Sequence, residues 1–254
     1  MDGSFLSQQE VVTASREFVC IRLATYEDQA ETRFLSKIYR GRTGNLENTV
    51  FAMLTPDGKD FLVRPGRGPH FAFRDATDMA KFMRDTAGDY PQTKTGTPPL
   101  PVVARLDVAL NVAACDGLPV AIRVHPPQAK ATTFDVELND TVWDTDLAGE
   151  FVFAKATPAE LKPISGVQIE EGLLIVEPDE FGTSAEAVHQ IDVRADRATI
   201  EQALRQTIAK RAAPVKNPQQ HIRTGVQLGI DWETAVPVTD SMSLRAKRRF
   251  RDDE

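Results

Sequence analysis

The stretch ALNVAACDGLPVAIRV, Ala109 to Val124, decides the reading of this chain, because it holds a helix, a break and a strand in one short span. Leu106 to Ala114 is apolar and helix-forming, and Asp116-Gly117 stops it, since glycine readily takes the backbone conformation a helix end requires. Pro119 to Val124, PVAIRV, follows as a short β-branched run that reads as a buried strand.

Downstream the pattern continues. Asp140 is placed to cap a short helix carrying Val142, Trp143 and Leu147, and EFVFAKA, Glu150 to Ala156, alternates like a strand. GLLIV, Gly172 to Val176, runs into Glu177-Pro178-Asp179, a turn signal, and a second strand follows near Val188 to Val193. Thr199 to Ala209 carries Ile200, Leu204 and Ile208 at the spacing of a docked helix.

Upstream, DYPQTKTGTPPLP from Asp89 resists both helix and central strand, which predicts a linker over 89–103. The segment before it repeats the same logic. Gln8 to Glu17 reads as a helix, and FVCIRL, Phe18 to Leu23, as a buried strand. Thr25 and Asp28 resemble a capping box for a helix starting near Tyr26 with Phe34, Leu35 and Ile38 on its apolar stripe. Thr49 to Leu54, the turn Thr55-Pro56-Asp57-Gly58 and Phe61 to Val63 predict a hairpin, and Asp75 to Thr86 a closing helix. Val19, Ile21, Arg22 and Leu23 match Val120, Ile122, Arg123 and Val124, a candidate internal duplication. The expected organisation is therefore a domain over 1–88, the linker over 89–103, a second domain over 104–211 and a C-terminal arm over 212–254. In the arm Val226, Leu228, Ile230, Trp232 and Val236 are spaced in twos, which suits an added edge strand or an ordered arm with a docking place for the indole.

The 254 residues are 41% hydrophobic and 26% charged, the composition of a folding chain rather than a disordered or collagen-like one. A net charge of -7 weighs against a dominant nucleic-acid surface. Two cysteines are too few for a disulfide framework or a zinc site built on thiolates alone. No apolar run approaches the roughly 20 residues of a membrane span, and no signal peptide is visible before Glu10. The expectation is a cytoplasmic protein, or an exported one whose leader has been removed.

Helix, strand, helix, hairpin and closing helix, read twice in tandem over Ser7 to Lys210, resembles the thioredoxin-like fold. It predicts an α/β protein of two such domains, each a central mixed sheet flanked by helices, with a C-terminal extension. Active members carry Cys-x-x-Cys at the start of the helix after the central strand, where the helix dipole stabilises a thiolate. The matching positions are Glu27-Asp28-Gln29-Ala30 and Gln128 to Ala131, and neither contains cysteine. The family's cis-proline position falls on Thr49 and Glu171. These departures imply two redox-inactive copies.

Glu27, Asp28, Thr25 and Thr49 would converge where that family keeps its site, able to do acid-base work or simply to cap a helix. Cys20 reads as a buried structural thiol inside its strand. Cys115, beside Asp116, lacks the positive surroundings that activate a thiol. RPGRGPH, with Arg64, Arg67 and His70, is either a grip for a carboxylate or phosphate, helped by Arg40 and Arg42, or a solvated turn. The four histidines fall into no metal-binding spacing, and the run RAKRRFR, Arg245 to Arg251, is followed at once by neutralising acidic residues.

The expected function is that of a non-catalytic binding or scaffold protein working through protein surfaces, with another protein or a second copy as partner and no cofactor or metal. Nucleic acid is disfavoured. The alternative is a single-cysteine, thiol-dependent oxidoreductase or peroxidase-like protein using Cys20 or Cys115.

Overall fold

The structure, a computed structural model, describes residues 2–23, 25–47, 49–90, 97–128, 130–145, 147–211, 217–241 and 243–245. The chain divides into two compact units, Met1–Thr93 with Val226–Glu254, and Lys94–Gly225.

The first unit holds α1 (Gln9–Ser15), α2 (Gln29–Ile38) and α3 (Ala76–Asp89), and carboxylates set the starts of the latter two. Asp28 accepts hydrogen bonds from the backbone N–H groups of Ala30 and Glu31, and Asp75 from that of Asp78. Both occupy amides that helix geometry leaves without an internal partner. The first cap therefore falls on Asp28 rather than Thr25. Val11 and Ala14 of α1 pack on Met79, Ala80 and Met83 of α3, with Phe73 packed edge-on to Phe51. The hairpin around Pro56-Asp57-Gly58 forms as a loose ribbon, its Thr55 N–H bonded to Asp60 O and its Leu62 N–H to Met53 O. Among the described residues of this unit, pairing goes no further than the bridges Leu54–Phe61 and Phe51–Gly66.

The expected strand Phe18 to Leu23 does not form: these residues are in neither helix nor sheet, and Val19 and Ile21 are 79% and 73% exposed. The reason is the lack of a neighbour, since a strand becomes stable only when its ladder is paired and its faces covered.

In the second unit the sheet order is β1-β3-β2-β5-β6-β4, built from β1 (Val102–Val103), β2 (Val120–Val124), β3 (Val152–Ala156), β4 (Ile164–Ser165), β5 (Gly172–Pro178) and β6 (Ala185–Asp192). β2 runs parallel to β3 and antiparallel to β5, and β1 runs parallel to β3 on the far edge. Between and after these strands lie α4 (Leu106–Asp116), α5 (Thr133–Asp144) and α6 (Arg197–Lys210). The result is a mixed sheet with helices on both faces. Residues of β2 alternate between them: Val120, Ile122 and Val124 pack toward Ala109, Leu110 and Ala113 of α4. Ala121 packs toward Phe134, Leu138 and Val142 of α5 and Ile200 and Leu204 of α6. Arg123 has the parity of Ala121, and this places a cation under the start of α5.

Three further expectations are corrected in this unit. Asp140 lies inside α5 and does not open a separate helix, because Thr132 and Asp135 already form the start of a longer one. β1 arises within the proline-rich stretch expected to be a linker: Val102 and Val103 lie beyond Pro101 and pair with one side of β3, as an edge strand tolerates. Pro218–Gln227 forms a helix, α7, in the region read as a C-terminal arm suited to an edge strand. Residues 91–96, Pro214 and the basic cluster beyond Arg245 lie outside the described residues. Among the described residues no helix is long and apolar enough to cross a membrane.

Candidate functional site

Arg123 stands in a strand that is buried at every position, and its side chain is only 5% exposed. A guanidinium taken out of water is tolerated only where anions and carbonyls replace its hydration. All five of its N–H donors are aimed at oxygens. Nε donates to Asp135 Oδ1 at 2.8 Å. One terminal nitrogen donates to the carbonyls of Val124 and Gly172, the other to Thr132 Oγ1 and Glu171 Oε1, both at 3.4 Å. The guanidinium carbon lies 5.2 Å from the centre of the Phe134 ring.

Four segments meet at this corner: the end of β2, the turn before α5, the first turn of α5, and Glu171-Gly172 at the start of β5. Asp135 ties two of them together, since its other oxygen accepts from the backbone N–H and hydroxyl of Thr132 at 2.7 and 2.8 Å. Burial opposes the charge on Asp135, but the hydrogen bonds from Arg123 and Thr132 outweigh it and hold the carboxyl below its usual range. Gly172 is the residue that lets β5 begin here. Its φ is +139°, and a Cβ would sit 2.0 Å from the carbonyl oxygen of Ile191.

Among the described residues, the cation of this corner is paired with both of its carboxylates, closely with Asp135 at 2.8 Å and more loosely with Glu171 at 3.4 Å. Gln128, Lys130 and Ala131, at the position expected for a helix-start motif, precede the α5 cap, and Gln128 has a φ of +62°. Ala129 lies outside the described residues. Beside Asp135 a cleft of about 580 Å³ opens between α5 and the sheet, with Phe153 and Lys155 on its floor and Leu100, Asn139 and Asp140 on its walls.

The other predicted site residues are dispersed. Thr25 offers its carbonyl to the Thr32 hydroxyl at 2.6 Å, and Asp28 is the α2 cap. Glu27 accepts the indole N–H of Trp232 at 2.7 Å, so the tryptophan of the C-terminal segment does have a docking place. Thr49 lies half-buried in the irregular segment leading to the hairpin. Arg67 is paired with Glu47 at 3.0 Å, while Arg64 is exposed and the His70 ring lies tilted against that of Phe71 at the surface. Cys20 is exposed, contrary to the buried role expected of it, because the strand that would have enclosed it is absent. Cys115 is exposed in the last turn of α4. The two thiols lie in different units, and neither stands at the start of α5.

Sequence reasoning noticed Arg123 only as a letter of a repeat. The signal was available: an arginine within an otherwise apolar buried strand demands an anionic partner, and Thr132 with Asp135 three positions on is a capping pattern. No protein-family model, curated protein or solved structure matches the chain.

Proposed function

We propose that this chain is a non-catalytic binding protein whose second unit is a thioredoxin-like module with its reactive corner filled by an ion-pair network. The observation that carries the reading is the Arg123–Asp135–Glu171 cluster, placed between the end of β2, the start of α5 and the start of β5. Supporting it is the order of elements: a parallel β1-β3-β2 group, helices at the crossovers, an antiparallel β5-β6 pair and a closing helix. The helix, central strand, helix, following strand, hairpin and closing helix within it are the order that the thioredoxin-like resemblance implies for one copy, and β1 and β4 are additions to that order. The reading is restricted to the second unit, because the first has the helix, hairpin and helix but not the strand.

A reactive corner needs a nucleophile at a helix start with access to substrate. Here that place holds a saturated arginine and two partly buried carboxylates, which fix the geometry of the adjoining cleft. The cleft combines apolar groups such as Phe153 and Leu100 with the charged groups Lys155 and Asp140, a composition suited to holding a partner's surface.

The test is the reactivity of the native thiols. Alkylation of the full chain at pH 6.5, with each cysteine followed by mass spectrometry, is expected to label Cys20 and Cys115 no faster than an unstructured thiol peptide. Labelling of either residue at least about tenfold faster, together with turnover of a disulfide or peroxide substrate, would overturn the reading.

A further inference from the structure

Residues Ile230 to Asp240 form neither helix nor strand, yet half-buried or buried residues alternate with exposed ones without a break along them. Ile230, Trp232, Thr234, Val236, Val238 and Asp240 turn inward, so the segment presents one face in the way an extended peptide does when bound to a groove.

The groove belongs to the same unit and is built around Tyr26, Glu27 and Leu46. The Trp232 indole donates to Glu27 Oε1 at 2.7 Å, and the Val236 N–H donates to the carbonyl of Tyr26 at 2.9 Å. The Thr239 hydroxyl donates to the carbonyl of Leu46 at 2.9 Å. The Tyr26 hydroxyl donates to the same carbonyl at 3.1 Å and accepts the N–H of buried Asp240 at 3.0 Å. Val238 completes a small apolar cluster with Tyr26, Leu35 and Leu46.

Two features make this seat exchangeable. The seam is incompletely filled: a cavity of about 230 Å³ lies between Ser36, Arg40 and Asn45 on one side and Val236 and Thr239 on the other. Ahead of the segment, Leu228 is 63% exposed and Gly229, at a φ of +67°, has nothing within 4 Å of where a Cβ would stand, so the approach is not packed in place.

We propose that the Tyr26–Glu27–Leu46 surface is a receptor for an extended peptide, that residues 230–240 are its ligand held in cis, and that a second copy of this chain supplies the same residues in trans. The seat recognises an indole N–H, a β-branched side chain and a main-chain N–H at fixed intervals. The chain's own segment carries all three at the required spacing, so a second copy fits without alteration. Exchange of an identical element between copies is a low-cost route to a dimer, opposed here by the high effective concentration of the tethered segment, about millimolar for a short tether. The inference rests on the first unit alone and is independent of the thioredoxin-like reading of the second.

The test mixes two full-length variants. One has a disabled seat, Glu27→Lys, with its segment intact; the other has a disabled segment, Trp232→Ala with Val238→Asp, and an intact seat. Analytical ultracentrifugation is expected to find a one-to-one heterodimer in the mixture and monomer in each variant alone. A mixture that stays monomeric while circular dichroism shows both variants folded overturns the proposal. A second measurement covers a seat variant that fails to fold: a dye-labelled peptide spanning residues 230–243 is titrated by fluorescence anisotropy against the wild-type chain and the segment-disabled chain. The disabled chain is expected to bind at least about tenfold more tightly, since its seat is vacated. Equal binding, or none to either, overturns the proposal.

Discussion

Arg123 shows at the scale of one residue how burial converts a surface side chain into a structural fixture. Its five donors are all used, so shortening or neutralising it leaves Asp135 and Glu171 facing each other without their cation. Replacement by methionine preserves much of the apolar volume and isolates the electrostatic loss. Arg123→Met is expected to lower stability by about 2–3 kcal/mol, less than the roughly 3–5 kcal/mol of a fully buried broken pair, because both carboxylates retain some water. The triple variant Arg123→Met, Asp135→Asn, Glu171→Gln is expected to recover most of that loss, since no unpaired charge then remains. Urea denaturation midpoints of the two variants check this. A triple variant as unstable as the single one would show that the guanidinium's packing on Phe134, rather than its pairing, holds the corner.

At the scale of elements, the β5-β6 hairpin links β2 to the sheet margin, and a side chain of β6 ties down the segment that follows β4. Gln190 accepts from the N–H groups of Gln168 and Ile169 and donates to the carbonyl of Gly166, pairing backbone groups of a segment that has no strand partner of its own among the described residues. On the same strand, burial and then the charge of Lys210, at the end of α6, push the pKa of His189 below its ordinary value. The unfolded chain therefore takes up a proton near pH 6.5 that the folded chain refuses. Stability is expected to fall as the pH drops through about 6.5. His189→Gln is expected to flatten the pH 5.5–7 part of the profile, read by thermal unfolding at a series of pH values. A variant that keeps the wild-type slope in this range would remove His189 as its source.

At the scale of the whole molecule, acid stability is expected to depend on carboxylates that serve as local organisers. Asp179 accepts from the backbone N–H groups of Phe181, Thr183 and Ser184 and from the hydroxyls of Thr183 and Ser184, closing the β5-β6 turn. Burial opposes its charge, but these hydrogen bonds hold its carboxyl far below the usual range. A folded-state pKa below the unfolded one contributes stability above about pH 4, which is lost as the pH falls further, and Asp135 titrates with the same sign. Asp179→Asn is expected to lower stability at pH 7 by about 1–2 kcal/mol and to make the profile below pH 4 shallower, measured by denaturant unfolding at pH 7 and pH 3. An unchanged slope below pH 4 would place the acid sensitivity elsewhere.

What the sequence determined by itself was local. Asp28 and Asp75 start helices because a short carboxylate reaches the open amides of the first turn, and the turns at Asp57-Gly58 and Pro178-Asp179 close because their residues favour that geometry. The tertiary structure decided which β-forming run became a strand. Val19-Cys20-Ile21-Arg22-Leu23 and Val120-Ala121-Ile122-Arg123-Val124 carry nearly the same pattern, but the second lies between β3 and β5 while the first has no strand neighbour among the described residues and is exposed from Val19 to Arg22. The same distinction governs their arginines: Arg22 is exposed, whereas Arg123 is buried among carboxylates brought from positions 135 and 171. A strand's partners and a buried charge's counterions come from distant parts of the chain, so the physical cause of each lies in the folded arrangement and not in the run of residues that needs it.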